Sequence, residues 1–150
     1  MPADHAPQLV DVADARAHVI TPGDRVKLAL LRGPDEIHDC SVFLEVWQPG
    51  ASQPPNSHPR SVETFLFLKG RGVAYCDDVR TEVQAGQLLV LPARSCHRIE
   101  SAGDAKLFAI TTMTPDDGFA ALVENGPEVD LDDEERAVVA QAADPAAGRT

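Results

Sequence analysis

A histidine and a glutamate stand close together in front of an apolar run that ends at a glycine. His58 precedes Glu63 by five residues, and a bend between them would let both side chains point into one cavity. A second histidine, His97, follows another apolar run that ends at Pro92. Imidazole nitrogens and carboxylate oxygens are common ligands of transition metals. The sequence therefore offers His58, Glu63 and His97 as a three-residue metal site.

The two stretches that carry these residues resemble the paired motifs of the cupin family. The residues that fit the spacing of the two motifs are Gly50, His58, Glu63, Gly70, Gly86, Pro92 and His97. Three positions depart from the pattern. Asn56 stands where the family has its first histidine, Arg94 stands where the second motif has glycine, and Ser101 replaces a terminal asparagine. The motifs are degenerate, so the resemblance predicts the fold more strongly than the reaction.

The resemblance implies one divalent metal ion held in a cavity with aromatic and aliphatic walls. Fe(II) is the first choice, and Zn, Mn, Ni or Cu are alternatives. Two histidines and one carboxylate leave coordination positions open for substrate, water or dioxygen. The expected function is therefore a metal-dependent enzyme acting on a small organic molecule, with Fe(II) oxygenase chemistry ahead of isomerase, decarboxylase or lyase chemistry. The alternative is a non-catalytic sensor or sugar-binding type of cupin. A homodimer is expected.

Asn56 has two interpretations. Its amide oxygen could face the metal as a weaker ligand than imidazole, or its side chain could cap the turn after Pro54 and Pro55. Several other residues are candidates to contact the substrate, because their side chains are aromatic or cationic and lie in or near the two motifs. They are Trp47, Arg60, Phe65, Tyr75 and Arg94.

Composition limits the other possible functions. The chain has 150 residues, of which 43% are hydrophobic and 25% charged, and its formal net charge is −11. Such a charge disfavours nucleic acids and anionic membranes as partners. Much of it lies in Asp116–Asp117 and in residues 130–135, outside the expected site. Three cysteines without C-x-x-C spacing are typical of reduced packing thiols. The first residues lack the pattern of a secretory signal, so a cytoplasmic location is expected.

Short segments with β-branched and aromatic residues recur between turn signals, which predicts an all-β domain. The expected strands cover residues 25–31, 41–47, 62–68, 73–76, 79–83, 87–91, 97–101 and 106–112. Val62–Leu68 is apolar at both alternating positions, which predicts a strand buried on both faces. His97 and Ile99 should point inward, and Arg98 and Glu100 outward. The prediction is a double-stranded β-helix, or jelly-roll barrel, with one or two C-terminal helices.

The domain boundaries follow from composition. A disordered arm is expected over residues 1–8, the barrel over 9–113, a helical segment packed on the barrel over 114–143, and a flexible tail over 144–150. Leu9–Ile20 reads as either a short helix or an edge strand. Thr114 is expected to cap the first helix, with Pro115 at its first position and Gly126 at its end. A second helix is expected from about Asp132 to Ala142.

Overall fold

Ten strands form two antiparallel sheets in the computed structural model, which describes residues 6–140. The strands are β1 (Ala17–His18), β2 (Val26–Arg32), β3 (Ser41–Trp47), β4 (Val62–Lys69), β5 (Arg71–Cys76), β6 (Val79–Gln84), β7 (Leu88–Leu91), β8 (His97–Ser101), β9 (Leu107–Thr114) and β10 (Glu128–Val129). The larger sheet has the order β10-β1-β2-β3-β9-β4-β7, and the smaller has the order β6-β5-β8. The predicted all-β jelly-roll fold is confirmed.

The central strand β3 separates two apolar clusters. Phe43 and Trp47 face the barrel interior and belong to the main core. Leu44 and Val46 face the other way and pack with Phe108 in a second cluster. Successive side chains of a strand point to opposite faces, so a strand covered on both sides must be apolar at both alternating positions. In this barrel β3 is that strand.

The prediction that β4 is buried on both faces is wrong. Its inward residues Glu63, Phe65 and Phe67 are at most 3% exposed, whereas Leu66 and Leu68 on the outer face are 43% and 39% exposed. This face of β4 is therefore largely open to solvent, and Lys69 at the end of the strand contacts Glu134 and the Phe108 ring. An apolar sequence at both alternating positions was therefore not sufficient evidence for two buried faces.

The helical part begins later than predicted. Thr114 is the last residue of β9 and pairs with Val62, and the first helix begins only at Phe119, so Thr114 is not its N-cap. Helix α1 covers Phe119–Glu124, and its N-cap is Gly118 at φ 80°. The side chain of buried Asp116 instead accepts a hydrogen bond from the Ala120 amide. The cap prediction failed because a capping residue type also occurs at the end of a strand, and only sheet pairing distinguishes the two.

The rest of the C-terminal segment follows the prediction more closely. Gly126 stands just after α1, where a Cβ atom would lie 2.0 Å from the Val19 carbonyl oxygen, so only glycine allows this close approach. Helix α2 covers Asp133–Ala140. Neither helix in residues 6–140 is long and apolar enough to cross a bilayer. The expected tail lies outside the described residues, as do residues 1–5 of the expected arm.

The segment before β1 resolves the ambiguity over Leu9–Ile20. A 3-10 turn at Val12–Asp14 is followed by the two-residue strand β1, which pairs with β2 on one side and β10 on the other. The segment thus contains a short helical turn and a strand, but the strand is not an edge strand, because it is paired on both sides.

The loop between β3 and β4 runs alongside β8 and extends the smaller sheet. Ser52 bridges to Glu100, and Asn56 bridges to His97 with reciprocal backbone hydrogen bonds of 2.9 Å. The Ser101 amide also donates to the Ala51 carbonyl at 2.8 Å. This pairing holds the loop, including His58, against the strand that carries His97.

Candidate metal centre

Three side chains from three different segments converge inside the barrel. His58 comes from the β3–β4 loop, Glu63 from the start of β4 and His97 from the start of β8. One ligand atom from each lies within 4.8 Å of the others. His97 Nε2 is 2.7 Å from Glu63 Oε2, and His58 Nε2 is 3.5 Å from Glu63 Oε1. Two nitrogen donors and one carboxylate at these separations fit a divalent transition metal.

The His97 ring is oriented by the turn that precedes β8. Its Nδ1 lies 3.2 Å from the Ser95 carbonyl oxygen, which can only accept a hydrogen bond, so Nδ1 carries the proton and donates. The Nε2 atom is then the nitrogen that faces Glu63. Such a hydrogen bond on the far nitrogen fixes the tautomer and the orientation of a metal-binding imidazole. The predicted alternation of β8 is confirmed, since His97 and Ile99 are buried.

Glu63 is a buried carboxylate whose charge is stabilised by the two histidines. Burial alone would raise its pKa, but the adjacent rings of His58 and His97 outweigh that effect and hold the pKa below its ordinary value. No arginine or lysine pairs with Glu63 in the described part of the chain. The only groups placed to balance its charge are the ones that would share a metal with it.

Helix α1 provides the wall behind His58. The Phe119 ring meets the His58 ring edge-on, with centroids 5.4 Å apart and planes at 77°, and it contacts Phe43 in the same way. The His58 and His97 rings are 5.7 Å apart. Aromatic contacts of this kind restrict the ring while leaving its edge free. Phe119 therefore helps to hold the loop histidine at the site.

A residue with positive φ connects the two motif turns. Arg94 has φ 67°, a left-handed conformation that favours glycine, and its amide donates to the His58 carbonyl at 2.8 Å. This explains why the sequence pattern of the second motif has glycine at the position of Arg94. The chain keeps the same backbone path with arginine, at a cost of about 1 kcal/mol.

Asn56 lies directly opposite His97 in an antiparallel bridge, so the two side chains are on the same face of the smaller sheet. Its backbone pairs with His97, and its side-chain Oδ1 is buried without a hydrogen-bond partner among residues 6–140. A turn cap would instead use that oxygen to accept a hydrogen bond from the turn. Asn56 also lines the same cavity as His58. These observations favour the interpretation in which the side chain faces the site.

Replacing Asn56 with histidine is expected to tighten metal binding, because imidazole is a stronger donor than an amide oxygen. We expect a chelator to remove the metal about tenfold more slowly from the Asn56→His protein. Stopped-flow chelation of the Zn(II)-loaded protein measures this. Ser57→His is the matched control, since Ser57 is the exposed neighbour. Equal chelation rates for a folded Asn56→His protein and the wild type would show that position 56 points away from the metal.

The other residues predicted to contact the substrate lie in different parts of the structure. Trp47 and Phe65 are buried on the interior face of the barrel, with ring centroids 6.4 Å apart. Tyr75 lies under the Arg98 guanidinium, 3.9 Å from the ring centroid, and does not line the cavity at His58. Arg94 contributes its backbone, as described above. None of the five lines this cavity, but two of them contact residues that do: the Arg60 side chain pairs with Asp117, and the Arg94 amide donates to the His58 carbonyl.

The expectation that Asp116 and Asp117 lie away from the site is wrong for Asp117. Its carboxylate lines the cavity at His58 and accepts hydrogen bonds from the Arg60 amide at 3.0 Å and from Arg60 Nε at 3.2 Å. Arg60 and Asp117 are far apart in sequence, and the turn before α1 brings them together. The sequence contains no local signal for this contact.

A second buried carboxyl group was also missed. Glu45 on β3 is 1% exposed and points into the barrel, where Gln53 Nε2 donates to its Oε2 at 3.3 Å. Burial first, and then the nearby Glu63 carboxylate, raise the pKa of Glu45 to about 8, against the opposing effect of Gln53. This shift favours the protonated, uncharged form of Glu45 at neutral pH. The sequence feature that could have indicated this buried carboxyl group is a glutamate within the otherwise apolar pattern of β3.

Comparison with known proteins agrees with this geometry. The model of the cupin domain matches residues 43–113, which include all three candidate ligands. An uncharacterised protein of Methanocaldococcus jannaschii is 30% identical over 60 residues, which are 40% of this chain and 48% of that protein. The chain thus spans about half the length of the curated relative it matches.

Solved structures show the same fold at low sequence identity. A predicted oxalate decarboxylase from Thermotoga maritima superposes with a TM-score of 0.63 at 20% identity, over 71% of this chain and 97% of the other. An RmlC-like cupin from Shewanella frigidimarina gives 0.61 at 16% identity, over 73% and 92%. KdgF from a Halomonas species gives 0.60 at 14% identity, over 73% and 94%.

These likenesses concern the fold, and the family model adds the sequence pattern of the two motifs. Both agree with a barrel that carries His58, Glu63 and His97 on its interior face. Residues 43–113 therefore form a cupin domain.

Proposed function

We propose that this protein is a metal-dependent cupin enzyme that acts on a small organic molecule, with non-haem Fe(II) oxygenase chemistry as the leading reaction type. The convergence of His58, Glu63 and His97 within 4.8 Å carries the proposal. A set of two histidines and one carboxylate is the ligand set of many Fe(II) oxygenases. When bound there, the metal would supply Lewis acidity and open positions for substrate and oxidant.

The chain's own residues prepare the site for a bound metal. Ser95 fixes the His97 tautomer, so that Nε2 is available without rearrangement. Phe119 packs on His58 and shields that ring from water on one side. Glu63 and His97 are only 3% and 4% exposed, which places the ligand atoms in a low-dielectric interior. Electrostatic interactions with a bound substrate are stronger in such surroundings than in water.

A cavity of about 340 Å³ opens beside His58 and provides room for a small molecule. Its walls come from the β3–β4 loop and from α1, so a ligand would reach the metal past His58 and Asn56. This volume is within the range of small-molecule sites. The T. maritima structure is named as a predicted decarboxylase, which keeps decarboxylase chemistry among the alternatives to oxygenation, together with isomerase and lyase chemistry.

A non-catalytic, ligand-binding cupin is the alternative from a different class. Asn56 in place of the family's first histidine favours it, because a site with a weaker donor can lose its metal. Metal uptake distinguishes the two functions. A binding module would have substoichiometric metal and would gain none on reconstitution.

Anaerobic reconstitution with Fe(II) is expected to give about one iron per chain, as a three-ligand site predicts. The iron-loaded protein should then consume dioxygen with at least one member of a panel of small organic molecules, and the metal-free protein should not. Elemental analysis and an oxygen electrode measure the two effects. Uptake of iron without oxygen consumption across the panel would favour the non-oxidative reactions, and failure to bind Fe(II), Zn(II) or Mn(II) would contradict a metal-dependent enzyme.

A further inference from the structure

The cavity beside His58 has a mainly apolar wall. Five of its lining side chains are aliphatic or aromatic: Ile20, Pro54, Pro55, Phe119 and Leu122. Leu122 is 51% exposed and projects from α1 at the open side. A smaller void of about 30 Å³ shares Ile20, Pro54 and Phe119 with it and extends inward to Leu28 and Gln53. The cavity beside His58 therefore has a largely hydrocarbon wall, whereas the smaller void is also lined by polar residues, among them Asp24, Ser52 and Asn56.

Within residues 6–140, the charged side chains that line the cavity are acidic, apart from His58. Two carboxylates, Asp24 and Asp117, line the cavity, and no lysine or arginine of residues 6–140 does. The Arg60 guanidinium is 3.1 Å from the Asp117 carboxylate, which neutralises it. Arg25 lines the smaller void, where its Nη2 donates to the Pro49 carbonyl at 2.8 Å. The entrance is therefore neutral to negative.

The interior does not stabilise an additional anion either. Glu45 and Glu63 are both buried there, and no basic residue in the described part of the chain pairs with Glu45. The Glu45 carboxyl accepts a hydrogen bond from the uncharged Gln53 amide, so among residues 6–140 no cation is placed to balance a second negative charge at this depth. A metal at the triad would balance one anionic head group, but a second anionic group on the ligand would have no partner.

We propose that the ligand of this site has a head group that binds the metal and an uncharged, apolar body that packs between residues 54–58 and helix α1. The inference rests on the proposed function, since the metal orients the head group. It excludes dicarboxylates and sugar acids as preferred ligands. Leu122 and Phe119 contact the body of the ligand and determine this preference.

Two probes with the same head group test the proposal. 4-Methylcatechol and 3,4-dihydroxybenzoate both offer two adjacent oxygens to a metal, and they differ by a methyl group in place of a carboxylate. Calorimetric titration of Zn(II)-loaded protein should show about tenfold tighter binding of 4-methylcatechol, equivalent to ~1.4 kcal/mol. Equal binding, or tighter binding of the carboxylate, would overturn the proposal. Failure of both probes to bind a protein that holds stoichiometric zinc would also overturn it.

A charge introduced at the cavity wall should change the preference. Leu122→Arg is expected to tighten 3,4-dihydroxybenzoate binding about tenfold, because a cation then faces the carboxylate. Leu122→Gln removes the apolar side chain without adding a charge. It therefore shows how much of the change in binding comes from the loss of apolar contact and how much from the new charge. Leu88→Arg is the matched control, since Leu88 is 62% exposed on β7 and does not line the cavity. An equal gain in affinity for 3,4-dihydroxybenzoate in Leu88→Arg would show that binding responds only to the net charge of the protein. A protein that takes up no zinc would contradict the proposed function itself, which is a separate result.

Discussion

Replacing His97 with alanine should abolish stoichiometric metal binding while the barrel stays folded. His97 supplies one of three converging ligand atoms, and its ring is 4% exposed. Bulk water therefore has little access to replace the lost imidazole as a ligand. Loss of a group that merely orients a ligand weakens metal affinity by 10–100-fold, so loss of the ligand itself should weaken it by at least about 100-fold. Elemental analysis after reconstitution with Zn(II) or Fe(II) measures the effect.

The control for His97→Ala is a histidine outside the site. His38 is 50% exposed and lies beside Asp35, so His38→Ala should retain wild-type metal content. Circular dichroism and gel filtration of both variants report whether the fold is kept. Full metal content in a folded His97→Ala protein would remove His97 from the site and would leave the convergence of the three side chains without a metal-binding role.

The second large effect concerns Glu45 and the stability of the metal-free protein. Glu45 has a pKa of about 8 in the folded protein, against an ordinary value of 4.5. Between these values the native state keeps a proton that the unfolded chain has lost, so this group's contribution to stability declines as pH rises, by about 1.4 kcal/mol per pH unit. The contribution is fully present below pH 4.5 and is lost as pH rises through about 8.

Glu45→Gln removes this pH dependence, because a carboxamide stays neutral and can still accept the hydrogen bond from Gln53. The variant should match the wild type near pH 4.5 and exceed its free energy of unfolding by about 3 kcal/mol at pH 7. Urea unfolding of metal-free protein at several pH values measures this difference. Glu82→Gln, at an exposed position of β6, should change stability by less than about 0.5 kcal/mol. A Glu45→Gln protein less stable than the wild type at pH 7 would show that Glu45 is ionised and paired.

The sequence by itself determined the barrel and the three candidate ligands. The resemblance to the cupin motifs selected His58, Glu63 and His97 as candidates, and the alternation of side chains along a strand predicted that His97 faces inward. The structure brings these three together within 4.8 Å. The alternation along β8, with His97 and Ile99 inside, followed from the same local rule.

Only the tertiary structure decided what surrounds the ligands. Asp117 reaches the cavity through a contact with Arg60, and Phe119 reaches His58 from a helix that starts after the last barrel strand. The protonation of Glu45 depends on its burial and on Glu63, which lies on another strand. Such contacts join residues far apart in the chain, and they depend on strand register and on which face is covered. Local spacing carries no information about either, which is also why the exposed outer face of β4 was mistaken for a buried one.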